Sequence, residues 1–275
     1  MQSATPGPTG RRRSSRISPT FFQRFECKYI VDPLTVARMR SYLEPFVRAD
    51  SFARDCPGGR YRVSSLYLDS PDLALYQQTH AGEKDRFKLR VRTYDDDPSH
   101  PAFVEVKRKV NRVVHKRRVG LDRDDAQALL MRRDPTTILR RLSGTRLADA
   151  EYFAHHLERI SARPAIRVQY MREAYEATGN EPVRVTLDTE LKHAVTLNDD
   201  LGHTTGEWID TSVSGMIVEI KFTERYPWWV KEFIRAFQLR QQSVPKYILS
   251  VDHALRRRVT SEVSLAGLAR PVRGI

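Results

Sequence analysis

The chain has 275 residues with a formal net charge of +13, and 40% of the residues are hydrophobic and 29% charged. That is enough apolar material for a real core and excludes a charge-dominated disordered chain. No run approaches the ~18 apolar residues of a membrane span, and two cysteines support neither a disulfide framework nor a zinc site. Four of the net charges come from Arg11, Arg12, Arg13 and Arg16 in residues 1–20, and four from residues 256–275, where five arginines face Glu262. The middle is therefore only mildly basic. Residues 1–20 read as a disordered basic tail without the apolar stretch of a secretory signal, 21–255 as one folded unit, and 256–275 as a second basic tail. A cytoplasmic location is expected, at the inner face of a membrane if a membrane-protein partner holds the chain there.

In chain order, a strand at Arg24–Tyr29 leads to Asp32-Pro33, an N-cap followed by a Pro at the first helical position, opening a helix to about Leu43. A strand over Tyr61–Asp69 ends in Ser70-Pro71-Asp72, a second helix start. A strand at 86–94 closes on the acidic turn Asp95-Asp96-Asp97-Pro98. Strands at 102–109 and 113–119 form a hairpin across Asn111-Arg112. Asp122 and Asp125 bracket a helix start, and 134–160 holds one or two further helices. Strands return at 165–175, 183–197 and 216–222. An amphipathic helix then places Trp229, Phe233 and Phe237 on one face, and Pro245 opens a last helix from Lys246 to about Leu255. The fold class expected is α+β, built on a large antiparallel sheet.

Charge sits at every second position in five of these strands. Arg24, Glu26 and Lys28 alternate with Phe25, Cys27 and Tyr29. Lys88, Arg90 and Arg92 alternate with Phe87, Leu89 and Val91. Glu105, Lys107 and Lys109 occupy alternate positions of the next strand, as do Arg184 and Asp188 of another, and Glu219 and Lys221 lie among Val218, Ile220 and Phe222. A period of two puts each set on one sheet face. Like charges opposite each other across strands are destabilising, so a face this rich in cations points to a polyanionic ligand. Buried unpaired ions are costly, and closing the sheet around a wet interior is one solution. With no Gly-rich phosphate loop in the chain, side chains would have to hold a nucleotide. The few acids on the face suit Mg²⁺ or Mn²⁺, with Glu219 the first choice.

Eight short motifs then occur in a telling order: Phe25-Glu26-Cys27-Lys28-Tyr29, Ser65-Leu66-Tyr67-Leu68-Asp69, Lys88-Leu89-Arg90-Val91-Arg92-Thr93-Tyr94, Phe103-Val104-Glu105-Val106-Lys107, Arg163-Pro164, Leu187-Asp188-Thr189-Glu190-Leu191, Val218-Glu219-Ile220-Lys221 and Val244-Pro245-Lys246-Tyr247. Over about 21–255 the chain resembles the VTC domain, the polyphosphate polymerase domain of the vacuolar transporter chaperone complex, within the triphosphate tunnel metalloenzyme superfamily. The resemblance implies a closed antiparallel β-barrel, a tunnel, with helices packed outside. It implies phosphate binding by Lys28, Arg90, Arg92, Lys107, Lys116, Arg167, Arg184 and Lys246, and a metal on Glu219. Lys221 and Glu105 match as well, the latter as a second metal candidate, and Lys88 joins the substrate set by its place in the alternation.

The activity implied is transfer of the γ-phosphoryl of ATP to a polyphosphate chain with Mn²⁺ or Mg²⁺. Arg90, Arg92 and Lys107 would grip the β- and γ-phosphates, Lys28 and Arg184 would stabilise the transition state, and Lys246 would guide the product. Two departures stand out: Arg24 occupies the first position of the superfamily's Glu-x-Glu-x-Lys, and Leu249 replaces a second lysine of the polymerases. Triphosphate hydrolysis and binding of polyphosphate or inositol phosphates without turnover remain open. No nucleic-acid partner is expected, because the middle lacks the usual exposed-aromatic stacking motifs.

Overall fold

The computed structural model describes residues 24–111, 113–133, 135–202, 207–213 and 215–260. The elements run β1 (Arg24–Val31), α1 (Val36–Leu43), β2 (Val47–Ala49), α2 (Ser51–Arg54), β3 (Arg60–Asp69), α3 (Ala74–His80), β4 (Asp85–Thr93), β5 (Ala102–Val110), β6 (Val113–Leu121), α4 (Arg123–Leu130), α5 (Pro135–Arg140), α6 (Gly144–Arg159), β7 (Arg163–Ala177), β8 (Arg184–Val195), β9 (Ile209–Asp210), β10 (Met216–Thr223), α7 (Trp228–Ala236) and α8 (Lys246–Thr260). The expected basic tail at 1–20 lies outside the described residues, as does the other tail from residue 261. Arg256 and Arg257 belong instead to α8, which continues past Leu255.

Local chemistry sets the junctions. Asp32 accepts a hydrogen bond from the Leu34 N–H at 2.9 Å and starts a short 3-10 turn ahead of α1. At the second predicted start the capping acid is one residue earlier than Ser70: Asp69 accepts from the N–H groups of Ser70, Leu75 and Tyr76, while the Ser70 hydroxyl accepts from Ala74. Asn111 takes φ 54° in the β5–β6 hairpin, a left-handed conformation Asn tolerates. Gly215 is needed where β10 begins: its φ is 136°, and a Cβ there would lie 2.4 Å from the Val31 carbonyl oxygen.

All strand pairs are antiparallel, in the order β1-β10-β8-β7-β3-β4-β5-β6, with β2 added to β7 and β9 to β8. Backbone hydrogen bonds do not close this sheet into the expected barrel. Among the described residues no backbone ladder joins β1 to β6, and Val113–Arg118 of β6 are all exposed. The sheet nevertheless curls, because Lys107 of β5 reaches Glu26 of β1 at 3.3 Å across the open side. The seam is spanned by charge rather than by hydrogen-bonded strands.

Two apolar clusters cover the convex side. Phe87, Leu89 and Val91 of β4, Val104 and Val106 of β5, and Val119 and Leu121 of β6 pack under α4, α5 and α6. Tyr29, Val31, Val185, Leu187, Val218 and Ile220 pack against Met39 and Leu43 of α1 and Trp229, Val230 and Phe233 of α7. Each such side chain contributes roughly 1.5–3 kcal/mol on burial, and Phe233→Ala should cost about 3–5 kcal/mol. A third cluster lies on the concave side: Tyr247, Ile248 and Val251 of α8 pack on Tyr67, Val168, Tyr170 and Ile217. With the convex face covered by apolar contacts, the alternate residues of every strand are left facing the hollow, and α8 plugs one end of it.

Candidate phosphate-binding face

The strand register carries the charged positions onto the concave face in rows. One row runs Tyr67, Arg90, Glu105, Arg118 across β3 to β6, and the next runs Ser65, Arg92, Phe103. A third places Lys88, Lys107 and Lys116 directly opposite one another. On the facing wall Lys28 stands opposite Glu219, Glu26 opposite Lys221, and Arg184 opposite Lys221 on the other side. Arg172 of β7 lies opposite Asp188 of β8.

Three buried acids organise these cations. Glu105, 1% exposed, receives Arg90 at 2.5 Å, Lys116 at 2.8 Å and Arg118 at 3.3 Å. Asp188, 2% exposed, accepts both forks of Arg172 at 2.6 and 2.8 Å and the Lys246 ammonium at 2.7 Å. Glu219 bonds Lys221 and lies 3.5 Å from Lys28, whose ammonium also meets Glu26 at 2.8 Å. Burial alone would raise Glu105, but Arg90, Arg92 and Lys116 outweigh it and hold the carboxyl well below the usual range. Burial opposes ionisation of Asp188 too, and Arg172 with Lys246 overcomes it. Burial and the neighbouring Glu219 would raise Glu26, yet Lys28, Lys107 and Lys221 bring it down to about 2.

The opposite imbalance holds along the lysine row. Lys88 has no carboxylate partner among the described residues; its ammonium lies 5.9 Å from the Tyr247 ring. Burial, with the cations Lys28, Lys107 and Arg90, pushes it down to about 8. Burial also lowers Lys116 to about 8 despite Glu105, and lowers Lys107. Tyr67 responds in kind: burial would raise its phenol, but Arg90, Arg92 and Lys88 pull it down to about 8, and Arg90 donates to its oxygen at 3.1 Å. A buried phenol drawn toward ionisation and lysines drawn toward neutrality are two signs of the same unmet positive charge.

Lys28, Lys88, Arg90, Arg92, Lys107, Lys116, Lys221 and Lys246 thus share one hollow with Glu105 and Glu219. Arg184 is on the same face but at the rim away from α8, tied to Asp50 at 2.6 Å and Glu176 at 3.3 Å. Arg167 is not brought to the hollow. It lies opposite Leu66, whose side chain belongs to the convex cluster, and its guanidinium bonds Asn198 and the carbonyls of Asp200 and Gly202. Arg172 takes the inner place on β7. The two arginines are five residues apart, an odd number, so the pleat sends them to opposite faces. Sequence reasoning missed Arg172, and Arg118 and Tyr67 as members of the face. Alternation along β7 through Tyr170, Arg172, Ala174 and Glu176 was the available signal, blurred by only one cation in that set.

Among the described residues, one pair of carboxylates on the concave face has the arrangement a divalent ion would use. Among the described residues no group of three or more His, Cys, Asp or Glu side chains converges. Glu105 is ion-paired with three cations. Glu26 and Glu219 differ: they sit diagonally on paired strands, and both reach the one Lys28 ammonium, which marks a position where a cation is held between two carboxylates. Mg²⁺ and Mn²⁺ ordinarily use one or two carboxylates plus substrate phosphate oxygens and water, so this donor pair fits such an ion.

A comparison with curated proteins gave no match. Among solved structures the chain is similar to a Bacillus halodurans protein assigned, without demonstration, as an adenylate cyclase, at 15% identity and TM-score 0.44, covering 80% of this chain and 91% of that one. It is similar to a protein from Pyrococcus horikoshii at 12% identity and TM-score 0.43, over 86% and 100%. It is also similar to a Hippeastrum protein assigned as an adenylyl cyclase and described as showing a dominant triphosphatase activity, at 13% identity and TM-score 0.46, over 84% and 96%. Likeness at that level carries no argument about chemistry. The family comparison is of another order, matching residues 23–255, which span β1 to α8 and every side chain of the concave face. The chain belongs to the VTC domain family.

Proposed function

We propose that the concave face binds a triphosphate and transfers its terminal phosphoryl group, with extension of a polyphosphate chain from ATP as the reaction. The observation that carries this reading is the lysine row beside Arg90 and Arg92, where buried cations outnumber the acids that could pair them. Phosphoryl transfer needs positioning and charge neutralisation more than a covalent nucleophile. Arg90 and Arg92 supply forked donors for β- and γ-phosphate oxygens, and Lys88 and Lys107 supply compact charge. Glu105 fixes the direction of Arg90, and Asp188 fixes Arg172 and Lys246, so the donors are oriented before a ligand arrives. Arg172, more deeply placed than rim-bound Arg184, would take the transition-state role that the family resemblance implies for Arg184. Mg²⁺ or Mn²⁺ on Glu219, with Glu26, would neutralise charge on the phosphate oxygens. Lys28, bonded to both acids, would then be freed for phosphate.

Hydrolysis with water as acceptor is the second reading, favoured by Leu249. That side chain packs against the apolar cluster of α8 where the polymerases tend to carry a lysine. Incubation of the purified chain with ATP and Mn²⁺ or Mg²⁺, following ADP, free phosphate and long-chain polyphosphate together, separates the two. ADP with polyphosphate supports chain extension. Matching ADP and phosphate supports hydrolysis, and tight tripolyphosphate binding without turnover leaves only a binding module.

A further inference from the structure

One polar side chain of the concave face has no contact that explains it. Thr186 of β8 falls between Arg184 and Asp188 in the two-residue alternation, while Val185 and Leu187 fill the other phase and pack in the convex cluster. Its side chain therefore faces the hollow. The residue is 1% exposed, and its hydroxyl, shielded from solvent, has no hydrogen-bond partner among the described residues. A buried hydroxyl left unmet costs free energy, and folds seldom keep one without a use.

The neighbours narrow down what that use is. In the ladder Thr186 is directly opposite Glu219 of β10 on one side and Ala174 of β7 on the other, and Ala174 offers only a methyl group. Along β8, Arg184 is committed to Asp50 and Glu176, and Asp188 to Arg172 and Lys246. Lys221 and Lys28 engage the two oxygens of Glu219. The unmet hydroxyl thus stands beside the carboxylate best suited to a divalent ion, on the flank away from Lys28 and Glu26. Directly opposed residues have Cβ atoms about 4.5–5.5 Å apart, close enough for one water to link the hydroxyl to an ion on the carboxylate. Phosphate oxygen is a poor occupant between Glu219 and Asp188, because three like charges would meet there. A metal-bound water is a good one. Mg²⁺ and Mn²⁺ keep several waters when one or two carboxylates hold them, and each such water needs acceptors for its protons.

We propose that Thr186 is a positioning residue of the divalent-ion site, its hydroxyl accepting a hydrogen bond from a water in the shell of an ion held by Glu219. The inference rests on the ion position given to Glu219 and Glu26 and adds a neutral member to it. The same hydroxyl is a cost to the empty protein and a contact in the loaded one, so removing it should move stability and ion affinity in opposite directions.

The test is titration of the full, metal-free chain with Mn²⁺, following loss of the paramagnetic resonance signal of the free ion. It compares wild type, Glu219→Gln, Thr186→Val and Thr186→Ser, with urea unfolding of each metal-free protein alongside. Thr186→Val should bind Mn²⁺ roughly tenfold more weakly, the lower end of the loss when an outer partner of a metal site is removed, and Thr186→Ser should stay within about twofold of wild type. The urea midpoint of metal-free Thr186→Val should equal or exceed that of wild type, since valine keeps the branched shape and deletes the unmet group. A threonine with a merely structural role would do the reverse, lowering the midpoint and leaving Mn²⁺ affinity unchanged. Weakened binding in Glu219→Gln with unchanged binding in Thr186→Val would overturn the role of Thr186 alone. Wild type that takes up no Mn²⁺, or Glu219→Gln that binds it equally well, would overturn the ion site together with it.

Discussion

The two walls of the hollow use charge in opposite ways. The wall of β4, β5 and β6 carries Lys88, Arg90, Arg92, Lys107, Lys116 and Arg118 on its concave face with one acid of its own, Glu105, which pairs Arg90, Lys116 and Arg118, while Lys107 reaches Glu26 across the seam. On the wall of β1, β10, β8 and β7, with α8 at its foot, Lys28, Lys221, Arg172 and Lys246 meet Glu26, Glu219 and Asp188 in near balance. A balanced wall is close to self-sufficient and contributes oriented donors and carboxylates. An unbalanced wall stores electrostatic cost that only an anion from outside can relieve. Under the proposed function the first wall would draw in and orient the phosphates, and the second would hold the metal.

The sharpest way to break the contrast is to remove a guanidinium from the unbalanced wall. Arg90→Ala should lower kcat by about 10²–10³, the loss typical of one oriented transition-state donor, while circular dichroism and thermal unfolding show an intact fold. Full activity in that variant would put the reacting phosphates elsewhere. On the balanced wall, Glu219→Gln should raise the Mn²⁺ or Mg²⁺ concentration needed for half-maximal activity by roughly 10–100-fold. An unchanged metal titration would remove Glu219 from the metal.

The stored cost itself is measurable. Lys88→Met should weaken tripolyphosphate binding yet stabilise the empty protein by roughly 0.5–2 kcal/mol, the usual exchange of function for stability. The sign of its pH dependence follows from burial: Lys88 loses its proton near pH 8 when folded and near 10.5 as an ordinary lysine. Between those values the unfolded chain binds more protons, so this residue makes stability climb with pH. Urea midpoints at pH 7.5 and 10 should therefore converge between wild type and Lys88→Met; a constant gap would mean that Lys88 is not titrating there. The smallest effect concerns affinity. As Lys88 and Lys116 lose protons from pH 7 to 9, tripolyphosphate binding should fall by several-fold, and less so in Lys88→Met.

Much of this was legible because the pleat is so regular. Five strands announced the concave face by parity alone, and in each of them the alternate apolar residues lie in the convex clusters. Asp32-Pro33 and Asn111-Arg112 marked real junctions because capping and left-handed turns depend on one or two residues. The short β2, α2 and β9 left no periodic signal, being too brief to repeat. Long-range geometry was not written locally either. Whether the sheet closes depends on β1 and β6, and nothing in either strand states that they fail to pair. Arg167 followed from resemblance rather than from phase, and counting residues from Arg172 shows why only one of the two can face the hollow.

The open edge of β6 carries one more meaning. An unpaired strand is a template on which a second copy can add, and Val113 and Val114 are exposed at 57% and 48% along it. The next residues but one, Lys116, Arg117 and Arg118, place three consecutive positive charges on that same edge, so two copies approaching edge to edge repel each other. Under the proposed function, the strand that offers cations to a polyanion would also oppose edge-to-edge pairing of two copies.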